Sequence, residues 1–203
     1  MSPMSNPART PDHPIDPLFL ERWSPRAFTE QRLTEADLMP LFEAARWAAS
    51  SFNAQPWRFI YALRGEAPWD TAVTWLLPMN AAWAKNSAAL VFVLSETRAR
   101  HPVSGEIVDS PTHSFDAGAA CGYFSLQATR NGLSTHFMAG IDRTRIRAEA
   151  GVPADVHIEC AAAVGRRGDA AGLPEPYRGR EGPSGRKPVS AFVTALDKPN
   201  QPR

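Results

Sequence analysis

Ala49-Ser50-Ser51-Phe52-Asn53-Ala54-Gln55-Pro56-Trp57-Arg58-Phe59 is the stretch from which the rest of the chain is read. It opens where an amphipathic helical pattern ends and closes where an alternating strand pattern begins. Between the two lie four polar side chains, Ser50, Ser51, Asn53 and Gln55, then a rigid Pro56 and a large flat Trp57. Such a loop offers several donors and acceptors on a backbone that a proline and a strand hold still, which suits a flat ligand with polar edges. The same residues would also serve a plain helix-to-strand connector whose serines and asparagine satisfy local backbone groups. Chemistry alone leaves both readings open.

Upstream, Glu21-Arg22-Trp23-Ser24-Pro25-Arg26-Ala27-Phe28 sets two arginines around a hydroxyl, in a segment that Pro25 keeps from being an uninterrupted helix. Two guanidinium forks and a serine make a phosphate site; the simpler alternative is a pair of solvated arginines on a turn. Residues 1–14 are rich in Pro, Ser and Asn and are expected to be a flexible N-terminal segment. A short helix is expected over Ile15–Glu21, with Asp16 as its cap. Thr34-Glu35-Ala36-Asp37 reads as a capping box for a helix buried through Leu38, Leu41, Phe42, Ala45 and Ala48, with a late start or a kink at Pro40.

Downstream, the patterns predict a strand over Trp57–Leu63, helices over Pro68–Leu77 and Asn80–Lys85, and a fully buried strand over Ala88–Leu94. Glu96–Pro111 reads as a loop, and His101 and His113 as solvated. Ser114 is the expected cap of a long helix, Phe115–Asn131, whose small-residue start (Ala117-Gly118-Ala119-Ala120-Cys121-Gly122) suits a core or a dimer interface. Strands are expected over Ser134–Met138 and His157–Val164, with a helix capped by Asp142 between them. After a Gly/Pro/Arg-rich connection, Val189–Thr194 reads as a last strand that crosses over, toward a second subunit.

With 203 residues the chain is long enough for one domain, expected over 15–196 with a tail at 197–203. A net charge of +1 argues against nucleic acid or an acidic membrane as the main partner. Cys121 and Cys160 lie far apart in sequence within apolar runs, as reduced small hydrophobes would. No apolar run approaches the roughly 20 residues that span a bilayer, so a soluble cytoplasmic protein is expected.

Ser-Ser-x-Asn-x-Gln-Pro-Trp at 50–57, together with Arg-x-Ser-x-Arg-x-Phe at 22–28, resembles the FMN-dependent nitroreductase family. The resemblance implies an α+β fold, a central mostly antiparallel sheet flanked by helices, in an intertwined homodimer with two FMN sites at the interface. It implies that Arg22, Trp23, Ser24 and Arg26 meet the FMN phosphate and pyrimidine edge, and that Arg186 grips the phosphate. Ser50, Ser51, Asn53 and Gln55 would reach FMN from the other subunit. Met138, Ala139 and Gly140 sit where the family places a backbone amide against flavin N5. NADH or NADPH is the implied donor, and an electron-poor small molecule the acceptor. The chain departs from the family pattern at Trp23 and Ala49, and the Met138–Ile141 turn lacks an acidic residue. Reductive dehalogenation, enoyl reduction, flavin fragmentation, or flavin holding without turnover are the alternatives on such a scaffold.

Overall fold

The computed structural model describes residues 9–196; residues 1–8 and the tail expected at 197–203 lie outside them. The elements run α1 (Pro17–Glu21), α2 (Glu35–Arg46), β1 (Trp57–Leu63), α3 (Trp69–Thr74), α4 (Pro78–Ala84), β2 (Ala89–Glu96), β3 (Arg98–Arg100), β4 (Ile107–Asp109), α5 (His113–Arg130), β5 (Ser134–Met138), α6 (Arg143–Glu149) and β6 (Val156–Gly165). Four strands form one sheet in the order β1-β2-β6-β5, every neighbouring pair antiparallel. The expected antiparallel sheet flanked by helices is therefore present.

Each face of the sheet carries its own core. Leu90, Phe92 and Leu94 of β2 pack with Trp69, Trp75, Trp83 and Ile146 on the side of α3, α4 and α6. Ala89 and Val91 of the same strand pack with Leu38, Leu41 and Phe124 on the side of α2 and α5. This double cover is why β2 reads as a continuous apolar run rather than an alternation. Helix α2 starts with the expected capping box. In α2 the Asp37 carboxylate accepts hydrogen bonds from Thr34 N and Thr34 Oγ1, both at 2.7 Å. The helix begins at Glu35 and carries Pro40 inside it, so the late start is not found.

Between Val93 and Leu94 the pairing to β6 slips by one residue, with Cys160 opposite Val93 and Ile158 opposite Leu94. Glu159 is the extra residue. A bulge of this kind turns neighbouring side chains toward one face, and here Glu159 and Cys160 both line a cavity of about 310 Å³ beside α5, together with Ser114 and Cys121. The cysteines, distant in sequence, are thus neighbours in space and both are free.

Several expectations are corrected. The 96–111 stretch contains the hairpin β3–β4. Helix α5 begins at His113 with Thr112 at its cap position, and Ser114 instead donates to Glu159 Oε1 at 2.7 Å. His113 is not solvated: its Nδ1 lies 2.7 Å from Ser95 Oγ and 3.5 Å from Glu159 Oε1. Val189–Thr194 forms no strand. Val189–Ala191 is a short 3-10 turn, and Phe192, Val193 and Leu196 are exposed. A strand needs a partner edge, and within the protomer this segment pairs with neither β1 nor β5, the two edges of the sheet. Among the described residues no helix is long and apolar enough to cross a membrane.

Candidate functional site

The segment 22–28 is held against the β5 edge of the sheet. Thr29 N donates to Arg166 O and Gly168 N to Ala27 O, both at 2.9 Å, around the bridge between Phe28 and Arg167. His136 of β5 fastens the same segment through Nδ1, 3.0 Å from Pro25 O. A carbonyl can only accept, so Nδ1 carries the proton. Glu181, arriving from the C-terminal connection, accepts from Arg26 N at 2.8 Å and Ala27 N at 3.0 Å, and lies 4.0 Å from the Arg26 guanidinium. Pro25 and Ala27 are buried, which leaves Arg22, Ser24 and Arg26 to project on the other side of an extended backbone.

The result is a cavity of about 270 Å³ into which Arg22, Trp23, Ser24, Arg26 and Arg186 all reach. Three residues that carried no sequence signal line it too: Arg9, His136 and Arg180. Arg22 Nη1 donates to Ser24 Oγ at 3.3 Å, and Arg186 Nη1 is steadied by Ser184 Oγ at 2.9 Å and Gly185 O at 2.8 Å. Among the described residues Arg26 alone of the five guanidiniums has a carboxylate within ion-pair distance. Burial is the main cause that lowers the Arg22 pKa, and the charge of Arg186 adds to it. Arg9, Arg22, Arg180 and Arg186, gathered this closely without carboxylate partners among the described residues, form a donor set that would suit an anion.

His136 titrates below its ordinary value because burial outweighs the help from the Pro25 carbonyl, with Arg26 adding repulsion. The sign of its effect on stability follows. The unfolded imidazole takes its proton near pH 6.5, the folded one only at lower pH. Stability is therefore full above about pH 6.5 and falls as pH drops toward the folded value. Urea midpoints at pH 7.5 and 5.5 should differ less in His136→Gln than in the unaltered protein.

The polar loop lies elsewhere. Ser50–Gln55 leads into β1, the opposite edge of the sheet, with β2 and β6 between it and β5. Phe52, Asn53 and Gln55 all hold positive φ, at 51°, 56° and 50°, a conformation that costs non-glycine residues energy and gathers at functional loops. Gln55 N donates to Ser50 Oγ at 3.0 Å, and Ser51 N to the buried Asp116 of α5 at 3.2 Å. Asp116 also accepts from Thr112 Oγ1 at 3.1 Å. The side chains of Ser51, Asn53 and Gln55 are left exposed. Asp116 was legible only as an acid in a first helical turn.

Met138 ends β5, and Ala139 and Gly140 follow. Gly140 O accepts from Leu77 N and Asn80 Nδ2, both at 3.0 Å, while its own N–H has no acceptor among the described residues. Asn80 Nδ2 lies 2.5 Å from where a Cβ would stand, so the turn is packed for glycine.

The antiparallel sheet covered on both faces thus carries an arginine-lined cavity at one edge and a polar loop with positive φ at the other. Residues 20–68 and 70–166 match the model of the Nitroreductase family, and the chain belongs to that family. It is 38% identical to a solved structure described as an oxidoreductase containing FMN, with a TM-score of 0.91 over 98% of this chain and 100% of that one. A nitroreductase-like structure from Desulfovibrio desulfuricans, solved in complex with FMN, shares the fold at a TM-score of 0.69 and 21% identity, covering 93% of this chain and 100% of that one. A Rhodopseudomonas palustris (strain TIE-1) protein, provisionally named an NADH dehydrogenase/NAD(P)H nitroreductase, is 25% identical over 153 residues, 68% of this chain and 78% of its own.

Proposed function

We propose that the protein is an FMN-dependent oxidoreductase that uses NADH or NADPH to reduce an electron-poor small molecule such as a nitroaromatic or a quinone. The observation that carries the reading is the cavity lined by five guanidiniums of which, among the described residues, only Arg26 has a carboxylate within ion-pair distance, a donor set suited to a phosphomonoester. The family and the FMN-bearing relatives support it. A cytoplasmic location belongs to the same proposal.

Bound FMN supplies the redox chemistry, with hydride from the reduced nicotinamide in one half-reaction and electrons to the acceptor in the other. The chain's own residues bind and orient it. Arg22, Ser24 and Arg186 hold the phosphate. Arg26 serves the pyrimidine edge, where its charge favours negative charge at N1 and O2, and Glu181 fixes the backbone that carries it. The unspent N–H of Gly140 is the donor for flavin N5. Ser50, Ser51, Asn53 and Gln55 complete the site from a second copy of the chain, because within one protomer the sheet separates them from the arginines.

Arg22→Ala and Arg186→Ala should each weaken FMN binding by about 1.5–3 kcal/mol, the scale of a lost hydrogen bond to a charged group. Fluorescence titration of the flavin-stripped variants reads the change; unaltered affinity in both would remove the phosphate from this cavity. Mixing the yellow protein with NADH or NADPH in a stopped-flow cell tests turnover. Loss of the yellow colour followed by its return on adding a nitroaromatic or quinone is expected. Colour that ignores both nucleotides would mark a flavin-holding protein instead.

A further inference from the structure

The residues bearing the family resemblance account for Arg22, Arg26 and Arg186 in the cavity, but a fourth guanidinium reaches it from outside them. Arg9 stands thirteen residues before Arg22 and lines the same space. Its Nε donates to Ser184 O at 3.1 Å, and its Nη1 to Arg22 O at 2.8 Å and to Leu20 O. These carbonyls fix the fork beside both flanks of the cavity, the 20–24 segment and the C-terminal connection. They neutralise nothing, and no carboxylate among the described residues lies within ion-pair distance of it. A second tie holds the same two chain segments together, from Val189 N to Asp12 Oδ2 at 2.7 Å.

We propose that Arg9 is a phosphate-binding residue of the flavin site, and that the N-terminal segment carrying it closes the cavity jointly with the C-terminal connection. The proposal rests on the FMN reading given above. Its physical ground is the assembly of Arg9, Arg22 and Arg186 around one opening. Like charges held together in the absence of counter-ions repel, and each is partly stripped of water: burial is the largest cause lowering the Arg9 pKa, followed by the charges of Arg186 and Arg22. A doubly charged phosphomonoester removes that repulsion and accepts from several forks at once. An arginine serving only to tie two backbone segments would not need to stand among other arginines.

Riboflavin separates the two roles, since it has the ring system and ribityl chain of FMN without the phosphate. Flavin-stripped protein, Arg9→Ala and Arg9→Lys are titrated with both ligands. The proposal expects Arg9→Ala to raise the FMN Kd by about ten- to a hundredfold, with Arg9→Lys between it and the parent, while riboflavin binding changes by less than about twofold. Equal losses for FMN and riboflavin would make Arg9 a purely structural tie and overturn the proposal, as would unchanged FMN affinity. Where Arg9→Ala does not fold, Arg9→Lys carries the same comparison. A parent protein that binds neither flavin would overturn the FMN reading itself, an outcome distinct from a parent that prefers FMN and a variant that does so equally. Inorganic phosphate gives an independent readout: it should raise the melting temperature of the stripped parent and raise it less in either variant.

Discussion

Refolding Arg22→Ala protomers together with Asn53→Ala protomers is expected to give activity above that of either variant alone. In the proposed arrangement each site takes its arginines from one chain and its Ser50–Gln55 loop from the other. A mixed dimer then holds one site with both parts intact and one with both damaged. Random pairing makes half of the dimers mixed, so about a quarter of the original sites return. The separation of the parts motivates the test. β1, which follows the loop, and β5, which borders the arginines, are opposite edges of a four-stranded sheet, about 14 Å apart at the usual strand spacing. In the proposed dimer the exterior of α5 would offer a surface for pairing. Phe115 is 80% exposed, Tyr123 is 48% exposed, and a Cβ at Gly118 or Gly122 would meet nothing within 4 Å. An interface of this obligate kind should bury more than roughly 2,000 Å² in total. Light scattering that finds an active monomer, or mixing that restores nothing, would defeat the shared-site arrangement.

The sheet was legible in the sequence because burial writes itself into side-chain patterns. Ala89–Leu94 is apolar throughout since helices cover both faces, and Thr34 and Asp37 announce the start of α2 through bonds only a few residues long. What the patterns miss is set by distant partners. Val189–Thr194 alternates as a strand does, yet pairing requires a partner, and within the protomer the segment pairs with neither edge of the sheet. His113 looks like a surface histidine until the bulge at Glu159 brings a carboxylate and Ser95 to it. The candidate site divides in the same way. Arg22, Ser24 and Arg26 share one short motif and can be read together. Arg9, Arg180 and Glu181 lie in segments without periodicity, and only folding carries the two arginines to the cavity and Glu181 to the backbone of Arg26.

Gly168→Ala is expected to cost the protein about 1–3 kcal/mol of stability, the range for overpacking a tight site, and to weaken FMN binding in the protein that remains folded. An added Cβ at Gly168 would stand 2.7 Å from Phe28 C and O and 3.1 Å from Thr29 N. These are backbone atoms, so no side chain can swing aside. The segment itself would have to move, and it is docked there by Gly168 N to Ala27 O and Thr29 N to Arg166 O, both at 2.9 Å. Displacing it strains a row of contacts at Trp83, a core side chain only 1% exposed. Phe28 stacks 6.4 Å from that ring and the Arg26 guanidinium lies 6.0 Å from its centroid. Arg22, Ser24 and Arg26 ride on the same backbone, so the damage reaches the anion cavity without any of its own residues being changed. Gly172→Ala is the control, because a Cβ there meets nothing within 4 Å. Urea midpoints and FMN titrations of the two variants should diverge. If Gly168→Ala unfolds and binds as Gly172→Ala does, the docking of residues 26–29 against 166–168 is not what positions the arginines, and the route from core packing to cofactor binding through Trp83 falls with it.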